Sequence, residues 1–77
     1  MSYPELIDLS QLAQELGVLK SKLQYYTTLG LFKPVTTLGG TNAYDKQRTI
    51  DAYKFIQKRQ GEGINIAQIK EELEKEE

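Results

Sequence analysis

Seventy-seven residues, 39% hydrophobic and 27% charged, suffice for one domain and no more, because a short chain buries too little surface to support two cores. Without Cys or His there are no disulfides and none of the usual nitrogen and sulfur metal ligands, so packing alone must hold the fold. The net charge of −1 runs against nucleic-acid binding, yet five of the eleven acids lie between Glu71 and Glu77, and residues 1–65 carry eight Lys and Arg against six acids, a mildly basic body of about +2. No apolar run approaches the roughly 18 residues of a membrane span, and residues 1–6 lack the basic segment and apolar stretch of a secretion signal. The expected location is the cytoplasm, with no membrane partner.

Along the chain, Leu12, Ala13 and Leu16 fall at helical spacing, with Ser10 placed to accept backbone N–H bonds as the N-cap and Gly17 as the stop. A second helix is predicted over about 20–29, with Leu23, Tyr26 and Leu29 as its buried stripe and Gly30 free to take a left-handed cap. Leu31, Phe32 and Val35 around Pro34 read as extended chain, and the Gly39-Gly40 pair as a tight turn, so about 31–44 forms a candidate two-stranded wing. Asp45 is the expected N-cap of a third helix reaching about Gln60, in which Ile50, Tyr53 or Lys54, and Ile56 or Gln57 divide the inner and outer faces. Gly61 and Gly63 end it. Asn65 then caps a fourth helix with Ile66, Ile69 and Leu73 inward, before an acidic tail, about 74–77, that frays because carboxylates at a helix C-terminus oppose the macrodipole.

The first two helices fit a helix-turn-helix, which needs a small residue where the helices cross, a glycine at the turn and apolar inner faces. Ala13 lets the helices approach, Gly17 relieves the turn of a Cβ clash, and Leu12, Leu16, Val18, Leu23 and Tyr26 close the shared core. One outward face remains on the second helix, holding Lys20, Ser21, Lys22, Gln24, Tyr25 and Thr28. All six can reach phosphates or base edges if the helix enters a major groove. The expected architecture is therefore mostly α: a winged helix-turn-helix, four helices with a short two-stranded wing, in a single domain spanning residues 1–77.

The segments LAQELGV, LQYYTTLGLFKP from Leu23 to Pro34, a Gly-containing wing ending at Tyr44-Asp45, and GINIAQIKEEL from Gly63 to Leu73 together resemble the N-terminal winged-helix DNA-binding domain of MerR-family bacterial transcription regulators. The resemblance implies that the second helix reads the major groove and that the wing touches the flanking backbone. It also implies phosphate contacts by Tyr25 and Tyr44, while Tyr26 belongs to the core. The wider set of DNA-contacting candidates adds Lys33, Thr36, Thr37, Asn42 and Arg48.

Departures from the family pattern carry expectations of their own. Ser21, Gln24, Thr36 and Asn42 stand where the family usually has Arg, and each lost phosphate contact lowers the salt slope of binding by about one. Lys20, Lys22, Lys33 and Arg48 must compensate. Leu19 stands at the usual N-cap Ser, which leaves an orphan N–H or moves the cap to Ser21. Family members continue into a long pairing helix, whereas Ile66, Ile69 and Leu73 span about one and a half heptads, against the roughly three or four of a stable coiled coil. The chain is then either a stand-alone regulator or a domain of something longer, with no effector site or cofactor to be read, and useful affinity needs a second copy or another protein.

Two rival readings remain. Phage excisionases and small terminase subunits use MerR-like winged helices as DNA-binding accessory proteins. A degenerate winged helix could instead serve protein interaction through Leu19, Leu31, Phe32, Val35 and Leu38, although Leu31 and Phe32 are expected in the core. Catalysis is not expected, since there is no His or Cys to act as base or nucleophile and no Gly-rich phosphate loop backed by Lys.

Overall fold

The structure, a computed structural model, describes residues 5–75. Its elements are β1 (Leu6–Ile7), α1 (Leu9–Leu16), α2 (Lys20–Thr28), β2 (Thr36–Leu38), β3 (Thr41–Asp45), α3 (Lys46–Gly61) and α4 (Ile66–Lys75). This is the expected four-helix winged helix-turn-helix, with one addition and several shifted ends. The last two residues of the acidic tail lie outside the described residues.

Helix α1 starts earlier than expected. Its N-cap is Asp8, not Ser10: the Asp8 carboxylate accepts from Gln11 N–H at 2.8 Å, and the Gln11 side chain reaches back to the Asp8 N–H at 3.5 Å. This reciprocal capping box satisfies two orphan donors, leaving Ser10 exposed on the first turn. At the other end Gly17 takes φ 69°, Gly17 N–H bonds the Gln14 carbonyl, and Val18 N–H bonds that of Ala13. That paired 5→2 and 6→1 closure is a Schellman motif, and it recurs at Gly30 and Gly63. Nothing lies within 4 Å of where a Gly17 Cβ would sit, so the glycine is required by its left-handed φ and not by the clash expected from sequence. Leu12 and Ala13 are buried where α1 crosses α2.

Strand β1 was not expected. It pairs antiparallel with β3 (Leu6↔Asp45, Ile7↔Tyr44), and β2 pairs with the other edge of β3 (Thr36↔Ala43, Thr37↔Asn42, Leu38↔Thr41), giving a three-stranded sheet in the order β1-β3-β2. Gly39 and Gly40, at φ 57° and 81°, make the two-residue turn; positive φ at both central positions matches the right-handed strand twist, as in a type I′ hairpin. The wing proper is thus 36–45 rather than 31–44. Residues 31–35 form no strand, because Leu31 and Phe32 turn inward into the core.

Asp45 caps α3 as expected, accepting from Arg48 N–H at 3.1 Å, and Asn65 caps α4, accepting from Gln68 N–H at 2.8 Å. On α3 the inward residues are Thr49 and Ile56, with Ile50 and Tyr53 half-buried and Lys54 exposed. Leu12, Leu23, Tyr26, Phe32, Tyr44, Ile56 and Ile69 meet in the core, so each of the four helices and the sheet commits side chains to one cluster. The result holds α2 against the body along one stripe and leaves its other side open.

Candidate nucleic-acid interface

Helix α2 alternates strictly by face. Leu23 and Tyr26 are buried, whereas Lys20, Ser21, Lys22, Gln24, Tyr25 and Thr28 are all exposed, as the sequence predicts; Tyr25 keeps 57% of its surface in water. The helix contains no acidic residue, so nothing on it repels a phosphate. Leu19 is its N-cap and provides no side-chain hydrogen bond, so the cap does not shift to Ser21. The first-turn N–H groups thus have no side-chain acceptor, and the positive end of the helix dipole lies beside Lys20.

The inner side of α2 is fixed by specific contacts. The Tyr26 hydroxyl donates to Gln60 Oε1 and accepts from Gln57 Nε2, each at 3.3 Å, tying α2 to α3. Its ring meets Phe32 edge-on at 5.7 Å, a favoured aromatic geometry that burial of both rings strengthens. Tyr44 is 1% exposed, and its hydroxyl donates to Thr27 Oγ1 at 3.5 Å, so from the central strand it braces α2 while also lining the cleft between α1, α2 and the wing.

This cleft of about 430 Å³ lies between the start of α1, the start of α2 and the wing, lined by Lys20, Gln24, Asn42 and Tyr44 together with Asp8, Ser10 and Thr41. Thr37 pairs directly with Asn42, so the two share one face of the hairpin, the face that carries Tyr44 two residues further along β3, and Asn42 meets Lys20 and Gln24 of α2 across the cleft. Thr36 is paired with Ala43 and points to the opposite face, away from the other candidates. Lys33 and Arg48 are not in the cleft either. They line a second groove of about 520 Å³, between the α2–β2 connection, α3 and α4. The twelve predicted residues therefore separate into the α2 face joined through the cleft to Asn42 and buried Tyr44, Thr37 beside Asn42 on the hairpin, the Lys33–Arg48 pair, and outlying Thr36.

Sequence reasoning missed Ser10 and Thr41 as cleft residues. The signal for Ser10 was legible: Asp8 and Gln11 have capping-box spacing, which frees Ser10 to face outward. It also missed the two cations that serve the scaffold. Lys46 contacts Glu15 at 3.0 Å and Glu5 at 3.3 Å, and the hydrogen bond to Glu15, then that to Glu5, raises its pKa. Arg59 forks onto Glu72 from α3 to α4, with Glu62 as a further partner, and these bonds, Glu72 first, raise its pKa. Arg59 and Glu62 are local partners three residues apart, but no signal short of the tertiary fold pairs Lys46 with Glu5 and Glu15 or Arg59 with Glu72.

Comparison with curated proteins and with solved structures yields no match. No helix among the described residues is long and apolar enough to cross a membrane. The model of the MerR HTH family regulatory protein, in contrast, matches residues 7–76, from the end of β1 through α4. With the helix-turn-helix, its outward polar face and the wing in place, that match over nearly the whole chain assigns it: the protein belongs to the MerR HTH family of DNA-binding transcription regulators.

Proposed function

We propose that the chain binds duplex DNA sequence-selectively as a small bacterial transcription regulator in the cytoplasm, without catalysis or a cofactor. Helix α2 enters the major groove, and the Thr37–Asn42 face of the wing follows the adjacent backbone. The observation that carries this reading is the single outward face of α2, six exposed side chains without an acid, continuous with Asn42 across one cleft. Gln24 presents the amide that pairs with an adenine edge, Tyr25 donates its hydroxyl to a phosphate, and Lys20 and Lys22 supply charge. Leu19, 75% exposed beside them, offers an apolar contact to a thymine methyl. Lys33 and Arg48 extend the contact to flanking phosphates. A single module buries only about 600–1,000 Å² on DNA, so useful affinity requires a second copy or a neighbouring protein.

Gel shifts test the assignment. Tyr25→Phe combined with Lys22→Ala weakens binding to every duplex, whereas Gln24→Ala changes the preference among sequences. If neither alters the shift, the docking face is misassigned. A protein-binding role is favoured by the exposure of Leu19, Val35 and Leu38. It is distinguished by titrating mixed-sequence duplex at low salt: unmoved Lys20, Lys22 and Tyr25 amides, with movement only on adding a protein ligand, support that role instead.

A further inference from the structure

Among the described residues Lys22 has no carboxylate partner, and its ammonium lies over the Tyr53 ring, 5.6 Å from the centroid. The two residues come from different helices. Lys22 stands on the outer face of α2, and Tyr53 is half-buried on α3. Tyr53 is itself fixed, since its ring packs at 6.3 Å and 54° against that of buried Tyr26, whose hydroxyl is held by Gln57 and Gln60. An aromatic face attracts a cation through its quadrupole but, unlike a carboxylate, does not neutralise it. A lysine held in this way keeps its full charge for a phosphate and surrenders rotamer freedom before binding, not during it.

We propose that Tyr53 is a positioning residue for DNA binding, holding the Lys22 ammonium where a phosphate meets it; this rests on the reading of α2 as the DNA-binding face. Tyr53 acts only through Lys22 and needs no contact with DNA. Its phenyl face, not its hydroxyl, is the operative group, so Phe should replace it. The preorganisation corresponds to about two- to fivefold in affinity, the range of an exposed cation–π contact.

The test uses anisotropy with a labelled mixed-sequence duplex across a salt series, for the wild type, Tyr53→Leu, Tyr53→Phe, Lys22→Ala and the Lys22→Ala/Tyr53→Leu double variant, with thermal melts of each. Tyr53→Leu should weaken binding about threefold with the salt slope unchanged, because the phosphate contact still forms once the lysine is ordered. Tyr53→Phe should bind as wild type, and Lys22→Ala should lower the slope by about one. In the Lys22→Ala background Tyr53→Leu should have no further effect. In the free protein the Lys22 ε-methylene protons should sit upfield from ring current in the wild type and Tyr53→Phe, and return in Tyr53→Leu. An equal loss from Tyr53→Leu with and without Lys22, or no loss at all, overturns the positioning role while leaving DNA binding by α2 intact. A wild-type protein that binds no duplex at low salt overturns the functional reading and this inference together. The melts separate unfolding from both.

Discussion

Lys20 and Lys22 on α2 carry the same charge as Lys46 and Arg59 on α3, but the two pairs are held differently. Lys46 and Arg59 each contact two carboxylates and join separate parts of the fold, α3 to α1 and to Glu5 just before β1 in one case and α3 to α4 in the other. No carboxylate meets Lys20 or Lys22 among the described residues, and α2 itself has none. The difference explains how a chain with net charge −1 can present a cationic face. Acids are spent on the cations that hold the scaffold, and those on α2 remain available for phosphate. Net charge is therefore a poor guide to binding here, and the placement of carboxylates a better one.

The sharpest way to break this division is to mutate neighbours that belong to opposite sides of it. Leu23 is 0% exposed, so Leu23→Ala removes core volume that its neighbours cannot refill and should cost about 2–5 kcal/mol. A loss of that size is a large part of the stability of so small a domain, and the variant should melt far below wild type by circular dichroism or fail to fold. Gln24→Ala, one residue on, should change the melt within about 0.5 kcal/mol while altering DNA preference. Equal melts for the two would mean that α2 is not docked along the Leu23–Tyr26 stripe.

A smaller effect is expected at the turn that aims α2. Gly17→Ala places a Cβ in open space but forces an L-residue into φ near 69°, which costs about 1–2 kcal/mol. In a domain of this size each kcal/mol moves the midpoint by about 4–8 °C. Gly17→Asn should fall less, because Asn tolerates the left-handed region. If Ala and Asn melt alike, backbone strain is not what the glycine relieves.

Much of the scaffold was legible because its signals are local. Asp45 and Asn65 sit just before periodic apolar runs, Gly17, Gly30 and Gly63 follow them, and the Gly39-Gly40 pair has few conformational alternatives to a tight turn. The outer face of α2 was legible for the same reason, since burying Leu23 and Tyr26 at helical spacing dictates which side chains face water. Strand β1 was not, because a two-residue strand has no period and exists only through its pairing with β3. The burial of Tyr44 was illegible for a related reason, since only the register Ile7↔Tyr44 shows it on the central strand, roofed by neighbours. The scaffold cations share that dependence on tertiary pairing: Glu5, Glu15 and Glu72 read in sequence as ordinary solvated charges.

On α2, Lys20→Ala and Lys22→Ala should each reduce the salt slope of DNA binding by about one and leave the melt within about 0.5 kcal/mol of wild type. Salt-dependent anisotropy and melting on the same samples measure both quantities. A lysine variant that lost stability but kept the slope would belong with Lys46 and Arg59, and the division between unpaired and paired cations would fail there.

The smallest effect, and the most specific to the cations that hold the scaffold, is alkaline. Lys46 is held above its ordinary pKa of 10.5 by Glu15 and then Glu5, so folding favours its charged form. A raised folded pKa means that the contribution is fully present below about 10.5 and is lost as pH rises through the folded value. Lys46→Met should therefore be slightly less stable than wild type at neutral pH, and the gap should close above 10.5 as the wild-type ammonium loses its proton. The two proteins differ only at this position, so the difference between the two melting curves isolates the lysine. High salt should narrow the gap at neutral pH, since the partners are partly exposed and screened. The Lys46 ammonium links Glu5, just before β1, to Glu15 of α1, so hydrogen exchange at the Ile7↔Tyr44 pair should quicken in Lys46→Met before the rest of the fold responds. Melting curves that stay parallel through the whole range would show that Lys46 does not fasten the N-terminal strand by charge.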